Sequence, residues 1–223
     1  MAANTGLSNL AEQKGFIVVY PDAVNKRWDI TGKNQTGVDD VPFVAALIEH
    51  LTKIRAIDRH RIYAAGLSNG GFFVQRLACE MPGQFAAFAS VAASLPVQLK
   101  PSCKPQTSVS ILMINGTADT VVPLAGGAPP KIRIGKNLSI LPVPEVIDFW
   151  RQHDACAAGA EVKQLPGDRV EISHYPSCRN GSEVTFVALK GGKHIWPGGG
   201  YGQSQFLDAS TAIWDFFQRH TKT

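Results

Sequence analysis

The chain has 223 residues, of which 44% are hydrophobic and 18% charged, and a formal net charge of +4. That length suits one domain with a sizeable core, expected over residues 1–223, and leaves little room for two. The small charge is spread along the chain with no Lys/Arg block interleaved with aromatics, which argues against a nucleic-acid partner; no apolar run approaches a membrane span, and residues 1–15 lack the apolar core of a signal peptide.

In chain order, residues 4–13 read as a helix with Leu7, Leu10 and Ala11 on one face and Gly15 as its stop. Phe16-Ile17-Val18-Val19-Tyr20 is a continuous β-branched and aromatic run ended by Pro21, the pattern of a strand buried on both faces. A polar loop holding Trp28 follows. Asp39 and Asp40 then stand where a helix N-cap belongs, with Pro42 in the first turn. That helix runs to about Arg55 on an apolar stripe of Val44, Leu47, Ile48, Leu51 and Ile54. A β-prone run over 61–65 leads into a helix over 72–80, closed by Met81-Pro82-Gly83. Residues 85–93 and 109–114 read as buried strands, separated by a loop with Cys103. A long loop reaches Pro144, and Val146, Ile147, Phe149 and Trp150 mark a helix to about His153. Short extended pieces over 162–164 and 170–175 suit a small ribbon. Residues 184–189 form the last clear strand, and a helix over 204–220 carries Ala209, Ile213, Trp214 and Phe217 inward. Strands alternating with helices give an α/β doubly wound, mostly parallel sheet.

The turn between the strand at 61–65 and the helix after it reads Gly66-Leu67-Ser68-Asn69-Gly70. Gly-x-Ser-x-Gly between a strand and a helix is a nucleophile elbow, which projects its serine at the carboxyl end of a central strand. So sharp a turn brings its flanks together, and Cβ atoms at Gly66 and Gly70 are expected to collide with it. The helix beyond Ser68 aims free N–H groups and its positive dipole end at the place where an oxyanion forms.

Asp119 and His194 occupy equivalent places, each just beyond the carboxyl end of an expected strand. In an open parallel sheet those ends share one edge, where ligands bind. The chain order Ser68, Asp119, His194 is that of α/β-hydrolases. A serine hydroxyl needs an imidazole to take its proton, and a carboxylate on the other ring nitrogen fixes the tautomer. His50, His60, His153, His174 and His220 fall on helix ends or polar loops and read as solvated, with His174 the reserve candidate for the base. The four cysteines, Cys79, Cys103, Cys156 and Cys178, allow three pairings if all are bridged. None joins a histidine at zinc-ligand spacing, so no metal and no cofactor is expected.

Five stretches occur in the order of a known family: Tyr20-Pro21-Asp22; Asp39-Asp40-Val41; Gly66-Leu67-Ser68-Asn69-Gly70-Gly71; Gly116-Thr117-Ala118-Asp119 with Val121-Val122-Pro123; and Gly191-Gly192-Lys193-His194-Ile195-Trp196-Pro197-Gly198. The chain resembles the polyhydroxybutyrate depolymerase-like and feruloyl esterase-like group of secreted α/β-hydrolases over nearly its whole length. The resemblance implies carboxylic-ester hydrolysis, with Ser68 as nucleophile, His194 as base and Asp119 as orienter. It also implies the bridges Cys79–Cys103 and Cys156–Cys178 and an extracellular or periplasmic location. Asn115, Lys193 and Pro42 depart from the family pattern without removing a catalytic group.

Measured against that family the chain is N-terminally shortened: it starts in the first helix, without the strands and the His-Gly loop that precede it there. The N–H of Asn69 is then the identifiable oxyanion donor, and either the sequence is a fragment or 16–20 pairs directly with the elbow strand in a smaller sheet. A second reading, a hydrolase-fold remnant that binds without turnover, follows from the same departure. Trp28 and Trp196 are expected near the active-site edge, where either could stack on an aromatic acyl group or pack a hydrophobic polymer, with Trp196 equally suited to prop the His194 loop. Feruloyl-type esters and short hydroxyalkanoate esters both fit.

Overall fold

The computed structural model describes residues 2–33, 37–128, 138–199 and 206–222. Six strands, β1 (Tyr63–Leu67), β2 (Ala87–Val91), β3 (Ile111–Gly116), β4 (Glu161–Gln164), β5 (Val170–Tyr175) and β6 (Val184–Leu189), form one sheet ordered β1-β2-β3-β6-β5-β4. The first four in that order are parallel, and β5 and β4 continue the sheet antiparallel. The two pieces expected as a separate ribbon therefore extend the main sheet.

Alternation along the strands splits the core in two. Phe88, Ile111 and Met113 face a cluster with Val44 and Ile48 of α3 (Asp40–Ile54), Phe72 and Leu77 of α4 (Asn69–Glu80), and Trp150 of α5 (Val143–His153). Ala89, Leu112 and Ile114 face the other side, against Ile213 and Phe216 of α6 (Ala209–Phe217). The result is the helix–sheet–helix sandwich that a parallel sheet needs to bury both faces.

The helix ends follow local chemistry. Asp39 caps α3 by accepting from the Val41 N–H at 3.2 Å, and Asp208 caps α6 through the Thr211 N–H at 2.9 Å. Residue 204, where the last helix was expected to begin, lies outside the described residues. The expected first helix is two, α1 (Ala2–Thr5) and α2 (Leu7–Lys14), because Gly6 turns left-handed at φ 71°. Ile54 of the expected apolar stripe is half exposed at the open end of α3.

Residues 16–20 correct a sequence expectation. They form no strand and do not pair with β1. Ile17 and Val19 are 57% and 42% exposed, while the ring of Phe16 stacks on Trp214 of α6 at 4.1 Å. The run is apolar because one side of it packs on a helix, not because two sheet faces cover it.

Disulfides join Cys79 to Cys103 and Cys156 to Cys178. The first ties the end of α4 to the loop after β2; the second ties the chain after α5 to the chain after β5. Both pairings are those the family resemblance implies.

Candidate active site

Three loops leave the carboxyl edge of the parallel strands next to one another. After β1 the chain turns at Ser68, whose backbone sits at φ 54°, ψ −118°. Non-glycine residues rarely hold that conformation, and such strain concentrates where surrounding structure over-determines it. Here the Ser68 N–H donates to the Val91 carbonyl at 2.9 Å and its own carbonyl accepts from the Phe72 N–H at 2.9 Å.

The glycines differ from expectation in an instructive way. A Cβ on Gly66 meets the Gly70 carbonyl carbon and oxygen at 2.3 Å, and one on Gly71 meets Ala93 Cβ at 2.7 Å. A Cβ on Gly70 meets nothing within 4 Å. The close approaches belong to Gly66, which passes over the turn, and to Gly71, which packs α4 on the chain beyond β2; Gly70 faces open space.

The loops after β3 and β6 are zipped together. The Ala118 N–H donates to the Gly192 carbonyl at 2.9 Å, and the Gly191 N–H donates to Thr117 Oγ1 at 2.8 Å. The backbones come so close that a Cβ on Gly116 lies 2.2 Å from the Gly192 oxygen. This fixes Asp119 and His194 relative to each other before their side chains meet.

Asp119 is buried, and one oxygen accepts from the N–H groups of Val121 and Val122, each at 2.8 Å. Its other oxygen is 2.7 Å from His194 Nδ1. Burial pushes this carboxyl up, but the bonds from His194 and the two backbone N–H groups outweigh it and hold the group below the usual aspartate range. An ionised carboxylate only accepts, so Nδ1 carries a proton, and in the neutral imidazole Nε2 keeps its lone pair. That lone pair lies 2.8 Å from Ser68 Oγ, in position to accept the hydroxyl proton.

Asn69, which begins α4, bonds through its side chain to the backbone of Trp28 at 2.8 and 3.2 Å. The Trp28 ring is half-buried and lies flat on Phe73 at 4.7 Å. Trp196 is only 4% exposed, and its indole N–H donates to Ser210 Oγ at 3.0 Å. That environment anchors the loop carrying His194 onto α6, and it leaves little of the Trp196 ring to meet a ligand. Lys193 is exposed.

Sequence reasoning missed a charged cluster under the Trp28 loop. Arg76, buried in α4, donates to the Asp29 carbonyl at 2.9 Å, to Asp39 at 2.8 Å and to Glu80 at 2.7 Å, and the buried Asp29 N–H donates to Asp40 at 2.6 Å. Burial works against the Arg76 charge, but Glu80, Asp39 and Asp29 prevail and raise its pKa. The sole hint in the sequence was a charged residue on the inward face of an apolar helix.

The remaining histidines lie away from this edge, though three are not solvated as expected. His220 is buried against Phe216, His174 Nε2 sits 2.9 Å from Glu183, and His153 Nε2 sits 3.1 Å from the Thr107 carbonyl oxygen. Among the described residues no group of three or more His, Cys, Asp or Glu side chains could hold a metal ion.

The prolyl oligopeptidase family matches residues 6–101, a span that includes the Ser68 turn. Feruloyl esterase B of Piromyces equi is 30% identical over 186 residues, 81% of this chain and 34% of that protein. The putative esterase NocK of Nocardia uniformis subsp. tsuyamanensis is 30% identical over 89% of this chain and 62% of its own length. Feruloyl esterase D of Neurospora crassa is 28% identical over 96% of the chain and 65% of its own length. The chain thus spans between about a third and two thirds of the length of these curated relatives. Among solved structures, an acetyl xylan esterase from Aspergillus awamori superposes with a TM-score of 0.66 at 14% identity, over 96% of this chain and 82% of that one. In sequence the chain is thus similar to feruloyl esterases over most of its length, and its fold is that of an acetyl xylan esterase.

Proposed function

We propose that the chain hydrolyses carboxylic esters through an acyl-enzyme on Ser68. The observation that carries this reading is the unbroken line of bonds from Asp119 through His194 to Ser68, at 2.7 and 2.8 Å. Ser68 Oγ attacks the ester carbonyl carbon while its proton passes to His194 Nε2. The carbonyl oxygen, now an oxyanion, is stabilised by the Asn69 N–H at the amino end of α4. Collapse of this adduct breaks the bond to the alcohol, which leaves with the proton from His194. A water then repeats the sequence on the acyl-serine, its proton going to His194 and finally to Ser68, and the acid departs.

For the substrate we propose feruloyl-type esters of plant cell-wall polysaccharide, with short hydroxyalkanoate esters as the second class. The names of the relatives favour the first: feruloyl esterases, and a bifunctional acetylxylan esterase/xylanase of Neocallimastix patriciarum that is 32% identical over 122 residues. The two disulfides support an extracellular or periplasmic site of action. Hydrolysis of p-nitrophenyl acetate and methyl ferulate, by the chain and by Ser68→Ala, tests the reading. Turnover of both that vanishes in the variant is the expected result. A folded chain with no Ser68-dependent turnover overturns it in favour of binding without turnover.

A further inference from the structure

The carboxamide of Asn69 is committed to the backbone of a single residue. Its oxygen accepts from the Trp28 N–H at 2.8 Å, and its nitrogen donates to the Trp28 carbonyl at 3.2 Å. A carboxamide sets a donor and an acceptor side by side, so the pair imitates a rung between two strands. Seven residues further along α4, two helical turns and hence on the same face, Arg76 takes hold of the next loop residue. It donates to the Asp29 carbonyl at 2.9 Å and pairs with the Asp29 carboxylate at 3.3 Å. The Trp28 ring in turn lies parallel to Phe73 of the same helix, at 4.7 Å and 3°, with Phe43 at 6.3 Å. One helix therefore carries the nucleophile turn at its tip and grips consecutive residues of the neighbouring loop along its side.

We propose that Asn69 is a positioning residue acting through its side chain: it locks Trp28 to the nucleophile turn and so fixes the aromatic wall beside Ser68 that selects an aromatic acyl group. Its kinetic consequence rests on the esterase reading; the clamp itself does not. An aspartate at this position keeps the acceptor for the Trp28 N–H but sets an oxygen against the Trp28 carbonyl, and an alanine removes both bonds. Either change releases the Trp28 backbone from the nucleophile turn while leaving the backbone N–H of residue 69 in place. A wall set in this way matters to a ring and not to an acetyl group, which separates positioning from a general loss of fold.

The test compares the chain with Asn69→Asp and Asn69→Ala. KM and kcat are measured on methyl ferulate and p-nitrophenyl acetate, and iodide quenching of tryptophan fluorescence is read alongside, with Trp28→Phe marking the share of that indole. Both variants are expected to raise KM for methyl ferulate about tenfold, the equivalent of one or two lost hydrogen bonds. The ratio of KM for methyl ferulate to KM for p-nitrophenyl acetate rises accordingly, and the Trp28 share becomes more quenchable. Thermal melting identifies a variant that fails to fold, and the isosteric aspartate then carries the test. Unchanged quenching overturns the clamp. Increased quenching with equal effects on both esters overturns the positioning role. If the wild-type chain shows no Ser68-dependent turnover, the esterase reading falls alone and quenching decides the clamp by itself.

Discussion

Three N–H donors converge on the Asp119 carboxylate, two from the backbone and one from His194. Asparagine there keeps the size but offers an NH2 group toward the imidazole, which favours the wrong tautomer. Asp119→Asn is expected to lower kcat by about four orders of magnitude on an intact fold, by analogy with such triads. The same carboxyl carries a pH signature. Its folded pKa lies below the unfolded value, so its stabilisation is full above about pH 4 and is lost as pH falls through the folded value. Denaturant midpoints measured from neutral pH downward should therefore converge between Asp119→Asn and wild type; a constant gap contradicts the assignment. The glycines offer a second contrast. Gly66→Ala drives a Cβ into the Gly70 carbonyl, whereas Gly70→Ala meets open space. The first is expected to abolish folding or activity and the second to leave turnover within about twofold of wild type, the range of a surface substitution. The motif spelled both glycines alike, because a spacing states which residues are near the turn and not which of them lies under it.

At the scale of elements, what the sequence made legible was local. Each of Ser68, Asp119 and His194 follows an apolar run that is itself a strand, so strand ends and site residues could be read together. Arg76 and Asp29 lie 47 residues apart and are both buried; a linear pattern cannot pair charges that meet only after two elements pack. Residues 16–20 failed for a related reason, since periodicity alone cannot distinguish two covered faces from one face against a helix. His220 at the end of α6 was likewise read as solvated. Burial depresses its pKa, and although the Phe216 carbonyl and Glu183 pull the other way they do not restore it, while Arg219 and His174 add to the depression. A depressed base is protonated first in the unfolded chain, so its contribution to stability is full above about pH 6.5 and declines below it. Hydrogen exchange along α6 should therefore accelerate between neutral pH and about pH 5 relative to His220→Gln, after correction for the intrinsic pH dependence of exchange. Equal corrected rates in the two proteins contradict this account of the helix end.

For the whole molecule the sheet order explains why three distant segments meet: β1, β3 and β6 are parallel, and their carboxyl ends are set on one edge by hydrogen-bonded ladders. The disulfides secure the helices that cover this sheet. Their sequence separations are 24 and 22 residues, so loop-closure entropy gives each about 3.5 kcal/mol, equivalent to roughly 10 °C of melting temperature in a chain of this size. Equal loops do not make them equally vulnerable. Cys79 and Cys103 are each 4% exposed inside the core, whereas Cys156 and Cys178 are half-buried near the surface. A thiolate must reach a disulfide sulfur to exchange with it. Mild reductant on the native chain should therefore open Cys156–Cys178 first, with activity retained, since that bridge lies beyond α5 and not on α4, whose tip carries Ser68. Cys79–Cys103 should yield only with unfolding, and its loss should take activity with it, because Cys79 closes the helix whose other end carries Ser68. Alkylation of thiols exposed at timed intervals, read by peptide mass, gives the order directly. Release of Cys79 and Cys103 before Cys156 and Cys178, in a chain still active, contradicts this arrangement of the two bridges.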